Sequence, residues 1–350
     1  MNPLAKTMRA SSTSRIIAAR SFAIVAALGL ISLSSHAAEP RTLKVAPAEG
    51  SSGINRAIEE LKHDGGEIVL SAGTYRCTTP VILHHDRITL RGMGPATLLK
   101  LTAKANCPVM IIGDETNKPR RGVSGVCVAD LAIDGNGSQQ GGECWNGQCD
   151  TGELTAIRSS GLVIRRARNI LVLRVSTTHC RSGGLVTEKH CRKLTVQDFS
   201  ASAHVFDGLA CYETEDSSFT GLHLYNNKSA GISTDLKFCH NSLRQVRMEN
   251  NGSHGIFMRN SSHNTFEDMQ IRRSGNAAIF IDQVDKNTDT ASVGNQFTNV
   301  TVTGSNGPAV LVNAPSCKRN TFTNVRLLDN KEGLKEAEPG LVKTAGLVVR

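Results

Sequence analysis

Asp207, Asp235 and His254 are the residues of this sequence best suited to moving protons at a shared site, with Glu188, Tyr212, Ser233, Arg259 and Asp282 as their candidate neighbours. Carboxylates, an imidazole, a phenol and a guanidinium are the groups that glycosidic cleavage or proton abstraction beside a carboxylate requires. In a polysaccharide lyase or C5-epimerase, Arg259 would neutralise a uronate carboxylate while His254 or Tyr212 took the C5 proton. In an inverting glycoside hydrolase, Asp207 and Asp235 would serve as acid and base across ~6.5 to 9.5 Å, but they fall at opposite ends of neighbouring strands. If calcium neutralised the uronate instead, Asp207, Asp235, Asp282 and Glu188 would be its oxygen donors. A non-catalytic glycan-binding or surface-scaffold protein is a third class. It predicts an even polar or aromatic ladder along the chain, whereas catalysis predicts one dense polar cluster.

These residues share a neighbourhood only if a repeat brings them together, and the sequence contains one. Segments starting with a small residue and an apolar alternation begin at Gly161, Gly184, Gly208, Gly231, Gly255, Ala278 and Ala309, in steps of 23, 24, 23, 24, 23 and 31 residues. Such regularity marks a solenoid whose unit is one coil. Counted from the small residue, positions one and three face inward and positions two and four outward, because strand side chains alternate. Position four then runs Arg165, Glu188, Tyr212, Asp235, Arg259, Asp282 and Asn313. Position two is bulky except at Ala210 and Ser233, so a hollow is expected at those two coils. The long last step places an insertion within residues 283–294, expected to overhang the same face.

A second strand follows in each unit, as in Asn264-Thr-Phe-Glu-Asp-Met-Gln-Ile, Asn295-Gln-Phe-Thr-Asn-Val-Thr-Val and Asn320-Thr-Phe-Thr-Asn-Val-Arg-Leu, with weaker copies at Asn241 and Asn169. Asn at one turn of successive coils can hydrogen-bond along the axis. Period-two alternation excludes helical repeats, and the absent Leu-x-x-Leu-x-Leu frame excludes leucine-rich ones. Before the repeats, Ile54, Ala57, Ile58 and Leu61 are spaced as one face of a helix ending near Gly65-Gly66, expected to cap the solenoid. Strands are expected over Glu67 to Leu70, Val81 to Leu83 and Ile88 to Leu90.

That helix, then Gly-Gly-Glu-Ile-Val-Leu-Ser-Ala-Gly-Thr-Tyr, then Ile-Thr-Leu-Arg-Gly-Met-Gly, resembles the opening segment of the pectate-lyase-like superfamily; with the repeats, the resemblance covers roughly residues 42 to 333. It implies an all-β fold, a single right-handed parallel β-helix with a short N-terminal capping helix. It implies no particular reaction, since the superfamily hosts lyases, hydrolases, epimerases and depolymerases. Asn287-Thr288-Asp289 matches a polygalacturonase motif in letters, but its partner motifs are absent.

The composition agrees: 4% aromatic residues against 32 glycines suits stacked turns. Residues 1–37 carry Arg9, Arg15 and Arg20, an apolar run from Phe22 to Leu33, and Ser35-His36-Ala37, the order of a secretory signal peptide. The expectation is therefore an exported β-helix domain over 38–350, periplasmic or extracellular, with no integral membrane segment. Removing Lys6, Arg9, Arg15 and Arg20 lowers the formal charge from +9 to +5. For an exported basic protein the expected partner is an anionic polysaccharide rather than nucleic acid. Of ten cysteines, Cys144 and Cys149 are close enough to staple one loop as a disulfide. No cysteine or histidine spacing matches a zinc site.

Overall fold

A computed structural model describes residues 41–116, 118–141 and 157–350; the segment read as a signal peptide and the expected Cys144–Cys149 disulfide lie outside them. The chain is an all-β solenoid of about 12 turns, the expected parallel β-helix. Ten strands, from Val81–Leu83 to Glu332–Glu336, stack in parallel as one sheet, and the remaining strands of each coil form a second parallel sheet.

The register is the one counted from the small residues. Leu162 pairs with Leu185, then Leu209, Ile232, Ile256, Ile279 and Val310 follow in line, all at most 1% exposed. The glycine column before them has a steric cause. A Cβ on Gly184 would sit 2.6 Å from the Gly208 carbonyl oxygen, and one on Gly208 would sit 3.0 Å from that of Gly231.

The asparagines form the expected axial ladder. Nδ2 of Asn241 donates to Oδ1 of Asn264 at 3.1 Å, Asn264 to Asn295 at 3.0 Å and Asn295 to Asn320 at 3.0 Å. Beside them Phe266, Phe297 and Phe322 stack with centroids 4.6 Å apart. Asn169 does not belong: Ile170 pairs with Leu194, which shifts Asn169 one residue off the ladder, and it is exposed and donates to Ser124 Oγ.

The capping helix α1 spans Gly50–Glu60 and buries Ile54, Ala57 and Ile58, with Leu61 just beyond. The early strands run Gly66–Leu70, Val81–Leu83 and Ile88–Arg91. Eight cysteines are described, all as free thiols, and six of them are buried.

Candidate active site on the ten-stranded sheet

The outward face of the ten-stranded sheet is not uniformly open. At position two Val163, Val186, Ala210 and Ser233 are all buried, at 1 to 8% exposed, which corrects the expectation that this position faces solvent. The cause is a cover. Ile157, from the segment preceding Gly161, packs with Ile111, Val163, Val186 and Ala210, and Tyr212 lies against them.

Beneath that cover the small side chains of Ala210 and Ser233 leave a cavity of about 400 Å3, reaching from Ile157 to Arg259. One end is closed by bulk. Phe257 takes the position held by Ala210 and Ser233, stacks on Phe280 at 5.1 Å, and carries the Arg259 guanidinium 5.1 Å above its ring.

Polar groups are held on this wall by register. Arg165, 1% exposed, is paired through Nε with Glu188 Oε1 at 2.6 Å, and its Nη1 donates to the carbonyls of Asp114 (3.1 Å) and Thr116 (2.8 Å). Asp235 accepts from Arg259 Nη2 at 2.5 Å and from its neighbour's amide, Leu236 N, at 2.8 Å. Asp207 accepts from Ala230 N at 2.8 Å and from the Ser229 hydroxyl. Burial raises the Asp207 carboxyl above the usual carboxylate range, against the opposing pull of those hydrogen bonds and of Arg158. Burial also raises the Tyr212 phenol, and the Asp207 charge raises it further. Arg158 lies with its guanidinium 5.2 Å over Phe206.

Six of the sequence-derived candidates, Glu188, Asp207, Tyr212, Ser233, Asp235 and Arg259, line this one cavity. His254 does not. Its ring packs against Phe257 and Phe280 with centroids at 5.4 and 5.1 Å, its Nδ1 is 2.7 Å from Ser253 Oγ, and burial lowers its pKa to about 4. Asp282 is also absent from the cavity, two coils beyond Asp235, where it accepts from Gln283 N and Asn313 Nδ2. The insertion over residues 283–294 folds beside the adjoining coil, bonding to Asn260 and His263, and does not wall the cavity.

Sequence reasoning passed over Arg158, Arg165, Lys189 and Glu213, all of which line the cavity. Arg165 had a readable signal, standing opposite Glu188 in register. Arg158 had none, because it precedes the first regular coil.

The four carboxylates considered for calcium do not assemble. Glu188 and Asp235 answer arginines, Asp207 answers backbone, and Asp282 lies outside. Among the described residues, the one group of three metal-capable side chains is Glu59, His84 and His85, where both histidine Nε2 atoms lie within 3.0 Å of Glu59 Oε1 at the capping helix.

A protein-family profile described as "Periplasmic copper-binding protein (NosD)" matches residues 149–340, more than half of the chain. The chain belongs to this NosD family. No curated protein matches the chain. Solved structures similar to it include the A-module of mannuronan C-5 epimerase AlgE6 from Azotobacter vinelandii (14% identity, TM-score 0.58), covering 86% of this chain and 95% of that one. Endo-xylogalacturonan hydrolase from Aspergillus tubingensis is similar over 89% and 93% of the two chains (13% identity, TM-score 0.64). An alginate lyase from Paenibacillus sp. is similar over 88% and 99% (11% identity, TM-score 0.53). These neighbours are carbohydrate-active β-helix proteins, and at such identities the likeness establishes the fold alone.

Among the described residues of the matched segment, no three metal-capable side chains come together to hold the copper of the family's description. Of its described thiols, Cys191 and Cys211 are buried and pushed up to about 12, and burial also raises Cys180, Cys239 and Cys317. This disfavours the metal-binding thiolate, and His204 is fully buried and already bonded. The Glu59, His84 and His85 group lies outside that segment.

Proposed function

We propose that this NosD-family chain is an exported carbohydrate-active protein that binds an anionic polysaccharide in the cavity and acts at C5 of a uronate, by lyase or C5-epimerase chemistry. The observation that carries the reading is the pairing of two proton carriers with raised pKa values, Asp207 and Tyr212, with the guanidinium groups of Arg158, Arg165 and Arg259 in one cavity. A carboxylate with an elevated pKa is a stronger base than an ordinary one, and a phenol kept protonated is a proton donor. Asp207 in its ionised form takes the C5 proton while guanidinium charge stabilises the carboxylate of the same sugar. In elimination, the C5–H electron pair forms the C4–C5 double bond, the C4–O bond breaks, and Tyr212 protonates the departing oxygen. In epimerisation, the carbanion at C5 is reprotonated from the opposite face. His254, held on Phe257 and Phe280, has no part.

A second reading, inverting hydrolysis, is favoured by one observation: a carboxyl whose pKa burial raises is also what a glycosidase acid requires. Incubation with a panel of polyuronates and neutral glycans separates the cases. Absorbance of an unsaturated product identifies a lyase, new reducing ends alone a hydrolase, and C5 exchange without cleavage an epimerase. Retained binding with no signal in any of the three would reject catalysis in favour of a binding protein.

A further inference from the structure

The turn that closes one side of the cavity opens on its far side into a second concavity. Arg165 and Lys189 line the cavity, while the next residues in the chain, Arg166 and His190, line a groove of about 730 Å3 on the adjoining face. That groove also presents Arg120, Arg168, Arg192 and Lys193, and among the described residues its lining contains a single carboxylate, Asp86. Asp86 is already occupied, accepting from Ser124 N at 2.7 Å.

The compensation of these charges is uneven. Arg192 is paired with Asp216 at 2.5 Å and lies 3.7 Å from Glu215, both in the next coil. Asp216 also feels Lys193, more weakly. Arg120, Arg166 and Arg168 form no ion pair among the described residues, nor does Lys193 at contact distance. The register makes this costly, because Arg168 stands directly over Arg192 in the neighbouring coil. Like charges opposite one another in a sheet are destabilising. Arg166 (φ 46°) and Lys193 (φ 53°) also occupy left-handed turns, where glycine would be less strained. Unpaired cations on strained turns, lining a concave surface across neighbouring coils, form an arrangement that an anionic polymer relieves.

We infer that this groove binds the continuation of the anionic polysaccharide whose reacting sugar occupies the cavity, each acidic sugar beyond the turn being held by Arg166, Arg168 and Lys193. The inference rests on the polysaccharide reading above and extends it from one sugar to a chain of them. Coils are ~4.8 Å apart, so cations on two neighbouring coils, Arg166 and Arg168 on one and Lys193 on the next, match successive carboxylates of a chain rather than one isolated anion.

The test compares binding of a uronate trisaccharide and of the corresponding long polymer, by calorimetry at two ionic strengths, to three proteins: the wild type, R166Q/R168Q/K193Q and the cavity variant R259Q. All three groove side chains are exposed, and circular dichroism verifies folding. The expected result is about a tenfold or greater loss of long-polymer affinity in the triple variant, with a shallower dependence on salt, while R259Q weakens the trisaccharide. Long-polymer affinity and salt dependence equal to wild type in the triple variant would overturn the groove and leave the cavity reading intact. The opposite split, with loss in the triple variant and no effect of R259Q on either ligand, would support the groove and count against the cavity. Should the wild type bind neither polyuronate but bind anionic vesicles through the same three residues, the groove would be a lipid-headgroup surface and the inference would be wrong.

Discussion

Asp207 combines two properties that oppose each other in stability: a buried carboxyl and, in the proposed mechanism, a role that needs its charge. Its folded pKa lies above the ordinary value, so the native state holds the proton more tightly than the unfolded one. The contribution of this residue to stability therefore falls as pH rises from the ordinary carboxylate range through the raised value. Asp207→Asn, which keeps an acceptor for Ala230 N, is expected to raise the denaturant midpoint near neutral pH and to cut turnover at least ~100-fold. Equilibrium unfolding and steady-state rates check both halves. Arg165 behaves differently. Arg165→Met leaves the partly buried Glu188 without its cation and the Asp114 and Thr116 carbonyls without their donor, and should cost about 3 kcal/mol; pairing it with Glu188→Met should recover only the part owed to the unpaired carboxylate, without recovering activity. At this scale the sequence named six lining residues because each sits at a counted strand position. It misplaced His254 because flanking a strand does not determine which way a ring turns, and here two phenylalanines in neighbouring coils captured it.

The coil is the element that carries both stability and site. In the ladder, the backbone N–H groups of Asn241, Asn264 and Asn295 donate to the next asparagine's Oδ1 at 2.9, 3.0 and 3.0 Å, in addition to the side-chain bonds. Asn264→Ala strands two buried donors of Asn241 and should cost about 2 kcal/mol in chemical denaturation. Asn169→Ala, off the ladder and exposed, should fall within about 0.5 kcal/mol of wild type. Leu236 marks the cavity rim as an exposed apolar side chain (48%) at φ 51°. Leu236→Asn relieves the left-handed turn and is expected to stabilise by about 1 kcal/mol while weakening sugar binding. The fold was legible because glycines, asparagines and inward apolar residues each repeat with a steric or hydrogen-bonding reason. The cover was not, because Ile157 and Arg158 precede the repeat and follow no period.

Across the whole molecule, imidazoles with lowered pKa values couple the solenoid to acid, His204 more strongly than His254. His204 is fully buried, 3.0 Å from Thr177 Oγ1 and accepting from Cys180 N at 3.0 Å, with its pKa lowered to about 3. It is neutral in the fold, while the unfolded imidazole takes a proton below about 6.5, so stability is lost as pH falls from that value toward 3, by on the order of 4 kcal/mol. Asp207 acts with the opposite sign within part of that range, so His204→Gln should flatten the acid limb and expose the Asp207 contribution in a pH series of unfolding midpoints. Exchange at C5 tests the chemistry of the cavity most directly. Polyuronate is incubated in deuterated water with wild type and with Asp207→Asn, and the C5 position is followed by nuclear magnetic resonance. Loss of the C5 proton signal, with or without an unsaturated product, that disappears in the folded Asp207→Asn protein is the predicted result. A C5 proton untouched by the wild type, or lost equally with the variant, would contradict it.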